Sequence, residues 1–217
     1  MNKSQSELNG MKMLTDETMR ILSIGISTGG NAEIKMASQH PERRIIATTL
    51  DCEGLKSVKE KMSTSKLSSQ IELRLEDISD SNLKYSGNQF DFVYARLVLH
   101  YLSAQKLSQA LKNIHRVLKP ESKVFIVVRS KNSPELKPEA IVFYDETTCL
   151  TTYLPESGSR RELTRYFHSQ DSITTALSSN GFQVEDVTSF YEDLSPSFKR
   201  DDNVRIRNHL IQVVAKK

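Results

Sequence analysis

Apolar residues in this chain fall into short dense runs, separated by stretches whose apolar positions recur every three or four residues. The runs at 21–25, 45–50, 71–75, 90–94 and 123–128 are almost wholly apolar, as strands covered on both faces of a parallel sheet must be. Between them, 31–39, 53–62 and 104–118 carry helical spacing. In the last, Leu107, Ala110, Leu111, Ile114 and Leu118 form one stripe, with Ser103 placed to cap it and Lys119-Pro120 to stop it. The alternation predicts an α/β fold, a doubly wound and mostly parallel sheet. The tail differs. Residues 170–179 read as a helix and Asn180-Gly181 as a turn. Residues 182–190 and 206–215 then read as two strands joined by a polar link containing Pro196. With no helix between them they pair antiparallel, completing a seven-stranded sheet.

Two segments lie outside this alternation. Residues 1–20 are polar, then weakly amphipathic through Met11, Leu14 and Met19. Residues 131–168 are too long for an ordinary connection and too rich in Ile141, Phe143, Tyr144, Leu150, Tyr153 and Tyr166 for disorder. A hairpin of 142–144 with 150–153 is expected there, and the insertion reads as a lid on one domain spanning 1–217.

Composition narrows the class. A chain of 217 residues suits one domain, and 37% hydrophobic with 26% charged residues is ordinary for a soluble protein. A net charge of +3 is too small to argue for a nucleic-acid partner. Cys52 and Cys149 make neither a disulfide framework nor a metal-ligand pattern, so no metal site is expected and both read as reduced thiols of a cytoplasmic protein. The N-terminus lacks an apolar signal core, and no apolar run is long enough to span a membrane.

Candidate chemistry gathers at the ends of the predicted strands. The first runs into Gly25-Ile-Ser27-Thr28-Gly29-Gly30 before a helix opens at Asn31. Small residues there let backbone approach a ligand, and the helix N-terminus offers free amides to an anion. Asp51, closing the second run, can accept both hydroxyls of a ribose; its plainer role is to cap the next helix. Asp77, after the third run, can accept a hydrogen bond from an adenine amine, or be a turn residue beside Glu76.

The stretch Asn88-Gln-Phe-Asp-Phe-Val-Tyr-Ala-Arg-Leu-Val-Leu-His-Tyr-Leu, followed by Leu111-Lys-Asn-Ile-His-Arg-Val-Leu-Lys-Pro, resembles the class I S-adenosylmethionine-dependent methyltransferases. The likeness is close over about 20–130 and holds in outline over 168–217. It implies S-adenosylmethionine as cofactor, with Gly25, Ser27, Thr28 and Gly29 as the glycine-rich loop near its methionine part. It implies Asp51 on the ribose, Asp77 on adenine with Ile78 stacking nearby, and Ala95-Arg96 beside the sulfonium. The family usually has an acid at the position of Ser23, to meet the cofactor's amino group, and glycine at that of Ser27.

His100 and Arg96 are the polar residues nearest the expected methyl group and stand as catalytic candidates. Arg129, Tyr144, Tyr153, Tyr166 and His168 are further candidates for holding an acceptor. Arg160, Arg161 and Arg165 can attract an anion but read first as a solvated charge run. No Asn/Asp-Pro-Pro-aromatic motif follows the fourth strand and no cysteine is placed as a nucleophile, so a small-molecule acceptor is expected. Two alternatives stay open: a non-catalytic S-adenosylmethionine-binding module, prompted by Ser23, and an NAD(P)-dependent oxidoreductase, prompted by Gly25-x-Ser27-x-x-Gly30 with Asp51 but lacking a Tyr-x-x-x-Lys pair.

Overall fold

A computed structural model describes residues 4–27, 29–63, 65–155, 161–194 and 207–217. Thr28, Arg160, Pro196 and Ile206, each used above, lie outside the described residues. In chain order the elements are α1 (Gln5–Lys12), β1 (Arg20–Ile24), α2 (Asn31–Ser38), β2 (Arg44–Thr49), α3 (Cys52–Ser63), β3 (Ile71–Leu75), β4 (Phe90–Arg96) and α4 (Ala104–Val117). There follow β5 (Leu118–Arg129), β6 (Ile141–Asp145), β7 (Leu150–Tyr153), β8 (Leu163–Arg165), α5 (Gln170–Ser178), β9 (Gln183–Asp193) and β10 (Arg207–Lys216).

The main sheet has seven strands in the order β3-β2-β1-β4-β5-β10-β9. Strands β3 through β5 run parallel, and β10 is antiparallel to both β5 and β9. Because β1 pairs with β2 on one side and β4 on the other, the strand order reverses beside β1. That is where open α/β sheets form a ligand crevice at their carboxyl edge.

Helices cover both faces. On one, Leu22, Val93 and Ile126 pack with Leu107, Leu111 and Ile114 of α4 and Ile173 and Leu177 of α5. On the other, Ile21, Ile45 and Phe92 pack with Met11, Met36, Val58 and Met62 from α1, α2 and α3. Adjacent residues such as Ile21 and Leu22 thus enter different cores, which is why the strands read as continuous apolar runs.

Three details differ from the pattern. Helix α4 ends one residue early, because Leu118 is already extended (φ −67°, ψ 142°) and β5 begins there, carrying Pro120. The weakly amphipathic start holds a true helix, α1, capped by the Ser4 side chain on the Glu7 amide. The insertion forms the expected hairpin, β6 antiparallel to β7, and adds a third strand, β8, on the other side of β7. No helix among the described residues is long and apolar enough to cross a membrane.

Candidate functional site

The turn after β1 is built by close approach. Gly25 sits at φ +81°, and a Cβ there would lie 2.6 Å from the Val98 side chain in the segment after β4. Gly30 sits at φ +56°, and a Cβ there would lie 2.6 Å from Met62 Cε. Side chains rarely adopt such φ values, so both positions are glycine for conformation and for space. The amides of Gly25 and Ile26 donate to the Thr48 carbonyl (2.8 and 2.9 Å), tying the turn to β2. Gly30 caps α2 without a side-chain bond, leaving the first amides of the helix to a ligand or solvent. Ser27 is exposed and Gly29 half-buried.

Asp51 follows β2 and is exposed. Its Oδ1 accepts from the Gly54 amide at 2.9 Å, so it caps α3, and no bond among the described residues engages the other oxygen. Asp77 follows β3. Its Oδ1 accepts from the Ser79 amide and hydroxyl (2.8 and 2.7 Å), and Lys106 Nζ stands 3.9 Å from Oδ2. Just before these carboxylates stand Leu50 and Leu75, 64% and 53% exposed. The sequence reading missed them, because both looked like ordinary strand residues. They are apolar surface at the carboxyl edge of the sheet.

Two expected contacts are not presented as expected. The Ile78 side chain is buried in the core beneath α4 rather than turned to the crevice. Ala95 is likewise a core residue, so only backbone is offered there. Leu97, next along, holds φ +57° and donates its amide to Val127 (2.8 Å). A leucine in the left-handed region is strained, and such strain clusters at functional sites.

The Arg96 guanidinium is engaged by α1 and β9. Its Nε donates to Ser6 Oγ and its Nη2 to Ser4 Oγ, both at 2.7 Å, and Nη2 stands 3.3 Å from Glu192 Oε1. Glu192 in turn accepts from the Ser6 amide at 3.0 Å. The guanidinium therefore binds α1 to β9, and its position on β4 had suggested otherwise.

The acid missing at Ser23 has a counterpart that the sequence reading did not find. Ser23 Oγ donates to Glu33 Oε1 at 2.6 Å, with both side chains buried. Burial raises the Glu33 pKa, while the Ser23 hydrogen bond works to lower it. Ten residues and a change of element separate the two, so no strand-end motif could reveal it.

Beyond β4, His100 is buried, its carbonyl accepts from the Tyr166 amide at 2.7 Å, and its Nδ1 has no partner. Burial, then the positive field of Arg129 and Arg165, drives its pKa well below the usual imidazole range. Arg129 at the end of β5 and Arg165 and His168 after the insertion are near enough to act on its charge, and Glu135 pairs with both arginines. Arg165 was read as part of a solvated run and is instead 4% exposed; Arg161 is exposed. Tyr144 is exposed, whereas Tyr153 is fully buried with its hydroxyl donating to Glu135 Oε2 at 2.7 Å.

A family model described as a methyltransferase domain matches residues 22–126. No curated protein matches the sequence. Among solved structures, an S-adenosylmethionine-dependent methyltransferase of Methanosarcina mazei aligns over 100% of this chain and 99% of its own, at 15% identity and TM-score 0.76. One from Mesorhizobium loti aligns over 98% of each, at 15% identity and TM-score 0.70. Phosphoethanolamine N-methyltransferase 2 of Haemonchus contortus, solved with phosphomonomethylethanolamine and S-adenosylhomocysteine, aligns over 97% of this chain and 52% of its own, at 17% identity and TM-score 0.65.

Proposed function

The chain belongs to the class I S-adenosylmethionine-dependent methyltransferases, and we propose that it methylates a small-molecule acceptor held between the end of β4 and the inserted three-stranded sheet. The observation that carries this reading is the arrangement of the crevice edge. A glycine turn, two carboxylates at successive strand ends and two exposed leucines beside them form one rim.

The residues present fit the cofactor. Asp51 keeps one oxygen for ribose hydroxyls while the other caps α3. Asp77 stands at the next strand end for the adenine amine, and Leu50 and Leu75 give the base apolar surface. Glu33 supplies, from α2, the carboxylate that Ser23 lacks, within reach of an ammonium beside β1. Ser23 prompts the non-catalytic alternative, and the Glu33 carboxylate beside it supports the catalytic reading instead.

When bound, the cofactor would supply an electrophilic methyl group on a sulfonium, with the thioether of S-adenosylhomocysteine as leaving group. The protein's task is then alignment and exclusion of water, effects worth up to about 7–11 kcal/mol in favourable systems. The inserted sheet closes over the ends of β4 and β5 through Tyr166–His100 and His168–Arg129 backbone bonds, acting as the lid. His100, held neutral and weakly basic, orients an acceptor by hydrogen bonding rather than taking its proton. Arg96 has no chemical role in this scheme and fastens α1.

The test is turnover. Protein incubated with methyl-labelled S-adenosylmethionine and a panel of small amines, phenols and acids should label one class and release S-adenosylhomocysteine. Cofactor binding with no labelled product from small molecules, but label entering added protein or RNA, would move the acceptor class.

A further inference from the structure

Beneath the inserted sheet lies a buried polar cluster larger than a fastening needs. One carboxylate, Glu135, is shared by two guanidiniums: its Oε1 lies against Arg129 Nη1, and its Oε2 accepts from Arg165 Nη1 at 3.0 Å and from Tyr153 Oη at 2.7 Å. Glu135, Arg129 and Arg165 are all buried. Arg165 also lies over the Tyr101 and Tyr153 rings, 5.4 and 5.7 Å from their centroids. His168 stacks on Tyr166 at 3.9 Å, and His100 feels the charge of both arginines.

Among the described residues, several buried polar atoms of this cluster have no hydrogen-bond partner: Arg165 Nε, His100 Nδ1 and His168 Nε2. Leaving such groups unsatisfied is costly, and native proteins keep few of them. Paired guanidiniums beside the end of β5 have the donors that a planar or tetrahedral oxyanion takes.

We propose that this cluster is an acceptor subsite, in which Arg165 and Arg129 bind a carboxylate or phosphate group of the molecule to be methylated. Glu135 occupies that place as a stand-in when the acceptor is absent. The proposal rests on the methyltransferase reading above and specifies its acceptor as an anion.

The experiment is calorimetric titration of protein already saturated with S-adenosylhomocysteine, with inorganic phosphate in one arm and acetate in the other. Saturable binding is expected in at least one arm, and the stronger arm names the anion. Arg165→Gln should weaken it at least tenfold with the affinity for S-adenosylhomocysteine unchanged. Glu135→Gln, which removes the competing charge, should tighten it. Absence of saturable binding in both arms, unchanged binding by Arg165→Gln, or weaker binding by Glu135→Gln overturns the subsite. If Arg165→Gln does not fold, the Glu135→Gln comparison decides alone. Failure of S-adenosylhomocysteine itself to bind would instead overturn the functional reading beneath it.

Discussion

Ser23 donates a 2.6 Å hydrogen bond to Glu33, so a carboxylate from the first turn of α2 stands against β1. The helix N-terminus favours a negative charge there, while burial disfavours it. Held by the Ser23 hydroxyl and its own backbone amide in a desolvated site, the carboxylate is suited to a cationic partner. Glu33→Gln should therefore weaken S-adenosylhomocysteine binding by about 1.5–3 kcal/mol, the scale of a hydrogen bond to a charged group. Moving the acid back, in Ser23→Asp with Glu33→Gln, should recover most of that loss. Calorimetry giving wild-type affinity for Glu33→Gln would mean that the ammonium is held elsewhere.

Asp51 has two tasks, and two substitutions separate them. Asp51→Ala should cost about 2–3 kcal/mol of cofactor affinity and also about 0.5–2 kcal/mol of stability through the lost α3 cap. Asp51→Asn keeps a capping oxygen, so it should melt near wild type while still binding the cofactor weakly. Equal affinity in all three proteins would place the ribose away from β2.

The buried histidines make stability depend on acid. Burial pushes His168 down to about 3, and His100 also lies far below its ordinary value of 6.5. In the unfolded chain both ionise near that ordinary value, so below it the unfolded state binds protons that the folded state refuses. Their contribution is complete above pH 6.5 and is lost as the pH falls, by up to about 1.4 kcal/mol per pH unit for each histidine. Glu33, whose pKa is raised, acts in the opposite sense, losing its contribution as the pH rises. Urea unfolding at pH 7 and pH 5 should show a smaller drop for His168→Gln than for wild type; identical drops would mean that His168 is protonated in the fold.

Helix α1 is seated by the absence of a side chain. A Cβ on Gly10 would stand 2.5 Å from the Tyr94 ring and 3.0 Å from Phe125. Gly10→Ala should cost about 1–3 kcal/mol, the range for overpacked cores, and should loosen the Arg96 bonds to Ser4 and Ser6. A thermal melt matching wild type would show that α1 does not pack against β4 in solution.

Much of this architecture was legible in the chain because parallel strands buried on both faces leave unbroken apolar runs. Asp51 and Asp77 were found by the same token, each closing such a run. What escaped notice depended on distance. Glu33 meets Ser23 across two elements, and Arg165 meets Glu135 across thirty residues of insertion. Local pattern presents an arginine beside Arg161 as a surface charge, and only tertiary packing buries it. For Arg96 and Ile78, position along the chain indicates the end of a strand but not the direction of the side chain, which α1 and β9 set for Arg96 and α4 sets for Ile78. The nicotinamide alternative drew on the glycine turn and Asp51 alone, and it falls with the family assignment.

The central claim is that the rim around Gly25, Glu33, Asp51 and Asp77 is an S-adenosylmethionine site. Calorimetric titration with S-adenosylhomocysteine, with NADH as control, tests it most directly. The account predicts one saturable site for S-adenosylhomocysteine, weakened by Asp51→Ala and Glu33→Gln, and no NADH binding. Binding of NADH alone, or S-adenosylhomocysteine binding indifferent to both substitutions, would contradict it.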